Sequence, residues 1–164
     1  MPIPEIARRG LWTCGCVLIL LGVTVVCRHM YVQTLVSTID QHGGGISDDE
    51  IIDFWGPVFV TFNIPGNFVV PSDADAKQIC QALSRFHRLD RVDFTETPLG
   101  DSFFVELSQR CPIAMVQLRH TRCGDLGVQA LANNKATQEL YLEGLSLSKE
   151  TLALLARKGI RYVQ

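Results

Sequence analysis

Between Leu89 and Leu155 one pattern of residues is written almost three times at a spacing of 24. Val92, Val116 and Leu140 open the copies, and Phe94, Leu118 and Leu142 follow two residues later. Thr97, Thr121 and Leu145 come next, then Leu99, Cys123 and Leu147, and finally Leu107, Leu131 and Leu155. A helix alone has no reason to keep such a period. One short strand, a turn and one helix fill it, provided each unit stacks on the next. The expected fold is therefore α/β, a short solenoid with a curved parallel sheet and outer helices. A stack of this kind offers a surface before it offers a pocket.

The chain before the repeats divides into an apolar segment and a connection. Arg8 and Arg9 precede Leu11 to Cys27, a run without a charged residue. At 1.5 Å per residue this run is at the short end for crossing roughly 30 Å of hydrocarbon, and the fairly apolar Met30 to Val36 can prolong it. A cleaved signal peptide would need a small-x-small site beyond the apolar core, and none is present. The reading adopted is a retained single-pass helix. Two arginines before it against Arg28 after it place the amino terminus in the cytoplasm and the repeats outside. Tyr31 to Gln41 reads as helix, stopped by Gly43-Gly44-Gly45. Asp48-Asp49-Glu50 reads as the solvated start of a short helix or turn. Four segments result: a basic tip at 1–10, a transmembrane helix with its extension at 11–36, a linking helix and turn at 37–57, and the repeat domain at 58–164.

Val58 to Phe62 is a β-branched and aromatic run that reads as the first strand of the repeats, with Asn63 to Pro71 interrupting the period after it. Ser72 or Asp73 then caps a helix whose apolar stripe is Ala76, Ile79, Cys80 and Leu83. Asp101 and Asp125 stand at the starts of the next two helices, where a carboxylate complements the helix dipole; at the third, Lys149 cannot do so and Ser148 is the expected cap. Gly159 to Val163 reads as one more strand.

These residues fit L-x-x-L-x-L-x-x-T-x-[LVI]-x-D-x-x-[LV]-x-x-L, a pattern that resembles the leucine-rich repeat family. The whole order, from Arg8-Arg9 through Leu11–Cys27 and the Gly-Gly stop to Thr97-Pro98-Leu99-Gly100-Asp101 and Thr121-Arg122-Cys123-Gly124-Asp125, is most similar to small membrane-anchored bacterial members of planctomycete type. The resemblance covers about residues 8–164. It implies a role in protein–protein interaction. The family's asparagine after each strand is missing, with Thr95, His120 or Glu143 near that position, and the third unit has lost both the threonine and the aspartate.

Nothing in the pattern prepares a catalytic centre. His29, His42, His87 and His120 fall in no HExxH frame, no serine sits in a GxSxG elbow, and no CxxCH occurs. The expectation is a non-enzymatic chain with no cofactor, no metal and no small-molecule substrate. Fifteen basic against 17 acidic residues give a net charge of -2, which argues against nucleic acid. Cys111 and Cys123 can pair in an oxidising compartment, although Cys123 occupies an inward leucine position that suits a free buried thiol. The candidate protein-binding face is the set of strand residues pointing away from the helices: Arg91, Asp93, Gln117, Arg119, Glu139 and Tyr141. Stacked about 5 Å apart, they would form a mixed-charge ladder with Arg119 between Asp93 and Tyr141. The alternative is a structural component of an envelope or larger assembly, whose ladder only solvates the sheet.

Overall fold

A computed structural model of the protein describes residues 20, 22–24, 26–27, 30–31, 33–46, 58–62, 71–86 and 89–164. Arg8 and Arg9, most of Leu11–Cys27, Asp48-Asp49-Glu50 and most of the interruption after Phe62 lie outside these residues. The chain forms two units, Met1–Thr34 and Leu35–Gln164. In the first, the described residues are helical and expose Leu20, Val23, Val26 and Met30. Among the described residues no helix is long and apolar enough to cross a membrane.

The second unit is a mixed α/β fold with a six-stranded sheet in the order β1-β2-β3-β4-β5-β6. The strands are β1 (Gly44–Ile46), β2 (Phe59–Phe62), β3 (Leu89–Asp93), β4 (Ile113–Gln117), β5 (Glu139–Tyr141) and β6 (Arg161–Val163). β1 runs antiparallel to β2, and every later pair is parallel. Helices α1 (Ala76–Leu83), α2 (Asp101–Arg110), α3 (Asp125–Asn133) and α4 (Lys149–Lys158) each join two parallel strands, because a parallel pair needs a crossover. Val60, Val92, Val116 and Leu140 lie opposite one another across the sheet, so the 24-residue period is the strand register itself. Phe62, Phe94, Leu118 and Leu142 form the next inward row, all buried.

Three phenylalanines of the first repeat pack with the preceding strand. The Phe62 and Phe94 rings stack at 4.9 Å, and the Phe94 ring meets Phe103 and Phe104 edge-on at 5.1 and 5.5 Å. Both geometries suit the ring quadrupole. Ile39, in the segment read from sequence as a linking helix, enters the core, and Leu35, at the end of the segment read as the membrane helix's extension, is buried as well. β1 was not expected, since Gly-Gly-Ile has little strand propensity. Its glycine is required by packing, because a Cβ on Gly44 would lie 2.5 Å from Ile39 Cγ2 and 2.7 Å from Phe62 Cε1.

The turns repeat as closely as the strands. Thr97 Oγ1 donates to Phe94 O at 2.7 Å and Thr121 Oγ1 to Leu118 O at 2.9 Å. In the third unit, where Leu145 has no hydroxyl, its backbone N–H reaches Leu142 O at 3.1 Å. The turn is thus kept by the main chain. Glu96, His120 and Gly144, again one period apart, all take positive φ, at 60°, 55° and 79°. Only the glycine among them announces that conformation in the sequence.

The aspartates act between units. Asp73 Oδ1 accepts Gly100 N–H at 2.9 Å, Asp101 Oδ1 accepts Gly124 N–H at 2.6 Å, and Asp125 Oδ1 accepts Ser148 N–H at 2.9 Å. Each carboxylate therefore bonds the start of the following helix, while Asp101 and Asp125 also stand in the first turn of their own, as the sequence suggested. Ser148 is a cap as expected, its Oγ accepting Thr151 N–H at 3.2 Å. Ahead of α1, Ser72 N–H and Oγ both donate to Asp75 Oδ2.

Candidate functional site

On the sheet face away from the buried rows, the register sorts the strand side chains into two lines. Phe59, Arg91, Met115, Glu139 and Arg161 form one, and Thr61, Asp93, Gln117, Tyr141 and Val163 the other. Five of the six residues read from the sequence lie in these lines. Arg119 does not: it follows the end of β4, and its carbonyl accepts Glu96 N–H at 2.8 Å. The neighbour of Asp93 on β4 is Gln117. The strand position between Arg91 and Glu139 belongs to Met115, which the sequence reading passed over although it lies one period after Arg91.

Arg119 does reach Tyr141. Its guanidinium carbon lies 5.1 Å from the centre of the tyrosine ring, inside the range of a cation–π contact. Nε is enclosed and makes no hydrogen bond; Glu143 Oε2 stands 3.7 Å away as an ion-pair partner only. Beside them Gln117 is 5% exposed, walled in by its neighbours on both strands. Gln117, Arg119 and Tyr141 thus make a compact polar and aromatic patch with half-buried Met115 next to it.

The flanking charges are matched. Arg91 Nη2 lies 3.8 Å from Asp93 Oδ2, and Arg161 Nη2 lies 2.8 Å from Glu139 Oε2. With Arg119 and Glu143 this makes three arginines opposed by three carboxylates. Exposed pairs of this kind contribute about 0–1 kcal/mol each, so their effect is on the potential of the face more than on stability. The face carries no net charge from them. Arg161 was not chosen from the sequence because it lies beyond Leu155, where the three repeats end, and Glu143 because it stands in the turn after its strand.

Two other candidates resolve differently. The His120 ring sits over Gly144, so closely that a Cβ there would be 2.3 Å from Nδ1, and it is otherwise an exposed turn residue. Cys123 is buried at the inward position expected of it, and its thiol is pushed up first by burial and then by the Asp101 charge. Cys111 packs on Cys80 instead of Cys123, its Sγ donating to Cys80 O at 3.3 Å. Among the described residues no cluster of His, Cys, Asp and Glu has the arrangement of a metal site. No protein-family model matches the chain, and no curated protein matches its sequence.

Proposed function

We propose that this chain is a single-pass membrane protein presenting a short leucine-rich repeat solenoid whose strand face binds another protein. The observation that carries the binding role is the patch of Gln117, Arg119 and Tyr141, with the guanidinium lying over the ring. Arginine and tyrosine are the side chains that dominate binding energy at protein interfaces, and a preordered pair loses less entropy on docking. The repeat reading is supported by three features that recur one period apart: the strand register, the positive-φ turn residue and the aspartate that bonds the next helix.

The membrane anchor is supported by the apolar run Leu11 to Cys27 and by the helical residues that carry it onward. Leu20 and Met30 are each 66% exposed, a costly arrangement in water and a natural one in lipid. Thr24 and Thr34 donate their hydroxyls to the Leu20 and Met30 carbonyls at 2.8 and 2.9 Å, which satisfies polar groups within the helix as hydrocarbon demands.

A structural role without a binding partner is the second reading, and the matched charges of the face favour it, since a face whose acids and arginines already satisfy one another has less to offer a partner. Protease treatment of intact cells carrying a tag after Gln164, with proximity labelling from the same tag, separates the possibilities. Protein binding requires one dominant neighbour that disappears when Arg119→Ala and Tyr141→Ala are combined in a chain that still folds. A neighbour list unchanged by that variant supports the structural role. A tag that resists protease until the cells are opened places the repeats in the cytoplasm and contradicts the proposed orientation.

A further inference from the structure

We propose that Cys80 and Cys111 are the two halves of a disulfide site that ties α1 to the end of α2. Cys80 lies on the buried stripe of α1 with Ile79 and Leu83. Cys111 follows α2 directly, and its backbone N–H donates to Leu107 O at 2.9 Å, so the end of the helix holds it in place. Its Sγ reaches across to α1 and donates to Cys80 O at 3.3 Å, so the two cysteines are in direct contact. Bonding requires side-chain rotation that brings the two sulfurs to about 2.05 Å.

The alternative partner is at the wrong end of the helix. Cys123 packs beside Asp101, the first residue of α2, and a Cβ on Gly127 would lie 2.6 Å from its sulfur. Cys111 is beyond Arg110, the last residue of α2. A helix of that length separates its ends by about 15 Å, whereas a disulfide requires Cα atoms within about 7 Å.

The bond would sit where the repeat is least regular. Asp73 bonds the backbone 27 residues ahead, while Asp101 and Asp125 each reach 23 ahead. A covalent tie between α1 and α2 secures this irregular first unit to the regular ones. The neighbouring Cys111 thiol and burial both hold Cys80 protonated, so exchange is slow in the folded chain, and the bond forms as the chain folds and is then protected. The oxidant is a small-molecule disulfide of the glutathione type. The first cysteine thiolate attacks one of its sulfurs and releases one thiolate; the second cysteine then attacks the mixed disulfide and releases the other. Two protein thiols lose two electrons and two protons, and one disulfide is reduced to two thiols. Occupancy in the cell rests on the proposed placement of the repeats outside the cytoplasm.

The test uses the full chain in detergent with Cys14→Ala, Cys16→Ala and Cys27→Ala. It is reduced, unfolded, and refolded in a glutathione redox buffer, then blocked with N-ethylmaleimide and digested with trypsin. The expected result is the loss of two hydrogens from the intact mass and a linked pair of peptides, Gln78–Arg85 with Cys111–Arg119, while Cys123–Lys135 carries the maleimide. Three alkylated cysteines, or a link between Cys111 and Cys123, would overturn the pairing. The same digestion on native chain trapped in living cells reads the compartment separately: the linked pair is expected there too. Free thiols in the cell beside a link formed on refolding contradict the outside placement and leave the pairing standing.

Discussion

Asp101 belongs to one helix and caps the next: its Oδ1 accepts the backbone N–H groups of Gly124 at 2.6 Å and Gly127 at 2.9 Å. Gly124 is the residue in the N-cap position of α3 and has no side chain with which to cap it. The carboxylate borrowed from the preceding unit satisfies two of the orphan donors of that first turn and places a negative charge at the positive end of its dipole. Where the following unit has its own cap, Ser148, the corresponding carboxylate of Asp125 takes the serine N–H and hydroxyl instead. Helix capping and unit stacking are thus one interaction. A helix here is complete only when its predecessor is in place.

Replacing Asp101 by alanine should therefore cost more than an ordinary surface carboxylate. Two charge-assisted bonds to partly buried donors are lost, and the expected loss of stability is about 2–4 kcal/mol. Urea unfolding of the variant measures it. Asp101→Asn, which keeps one acceptor, should recover part of the loss.

Gly127→Ala should destabilise, opposite in sign to the usual effect of replacing glycine within a helix. An added Cβ would stand 2.6 Å from Cys123 Sγ and 2.8 Å from Asp101 Oδ1. Helix propensity would contribute about 1 kcal/mol in its favour. Overpacking and displacement of the capping carboxylate outweigh that, giving a net loss of about 1–3 kcal/mol in the same unfolding measurement.

Gly144 and His120 should be energetically coupled. Gly144→Ala meets both a positive φ and the imidazole of His120, and is expected to cost about 1–3 kcal/mol. His120→Gly removes the ring. In the double variant only the backbone part of the alanine cost should remain, so a double-mutant cycle should show a coupling of about 1 kcal/mol. Strict additivity would mean that the ring moves aside freely.

Acid should weaken the domain only below the ordinary carboxylate range. Asp125 is held below its usual value first by the Thr151 hydroxyl and then by the Ser148 N–H, with burial opposing them and the Ser148 hydroxyl adding a lesser pull. Asp75 is held down by the Ser72 hydroxyl and N–H, with His42 adding a lesser attraction. Both pKa values are lower folded than unfolded, so their contribution is fully present above about pH 4 and is lost as pH falls through the folded values. Unfolding midpoints should be flat with respect to these two groups from neutral pH to about 5 and decline below about 4. Asp125→Asn should make that decline shallower.

The period of the repeats was legible because it is written in apolar residues, which the register must place in line: Val92, Val116 and Leu140 are paired as the spacing requires. The candidate face was legible only in part. Choosing residues on either side of Leu118 put Arg119 in a row that its own strand gives to Gln117; counting one period from Arg91 would have found Met115. Polar relationships between units left less trace. No local capping pattern shows that Asp101 serves Gly124, and the Cys80–Cys111 contact lies off the period. The positive φ of Glu96 and His120 left no trace either, since the turn they share with Gly144 carries the glycine signal in one unit alone.

A photo-crosslinking residue placed at half-buried Met115, with a second chain labelled at Glu150 on the exposed side of α4, tests the binding role in intact cells. The account expects one discrete adduct from position 115, lost when Arg119→Ala and Tyr141→Ala are added, and no such adduct from position 150. No adduct at 115, or the same adducts from both positions regardless of those substitutions, would contradict a partner seated on the strand face.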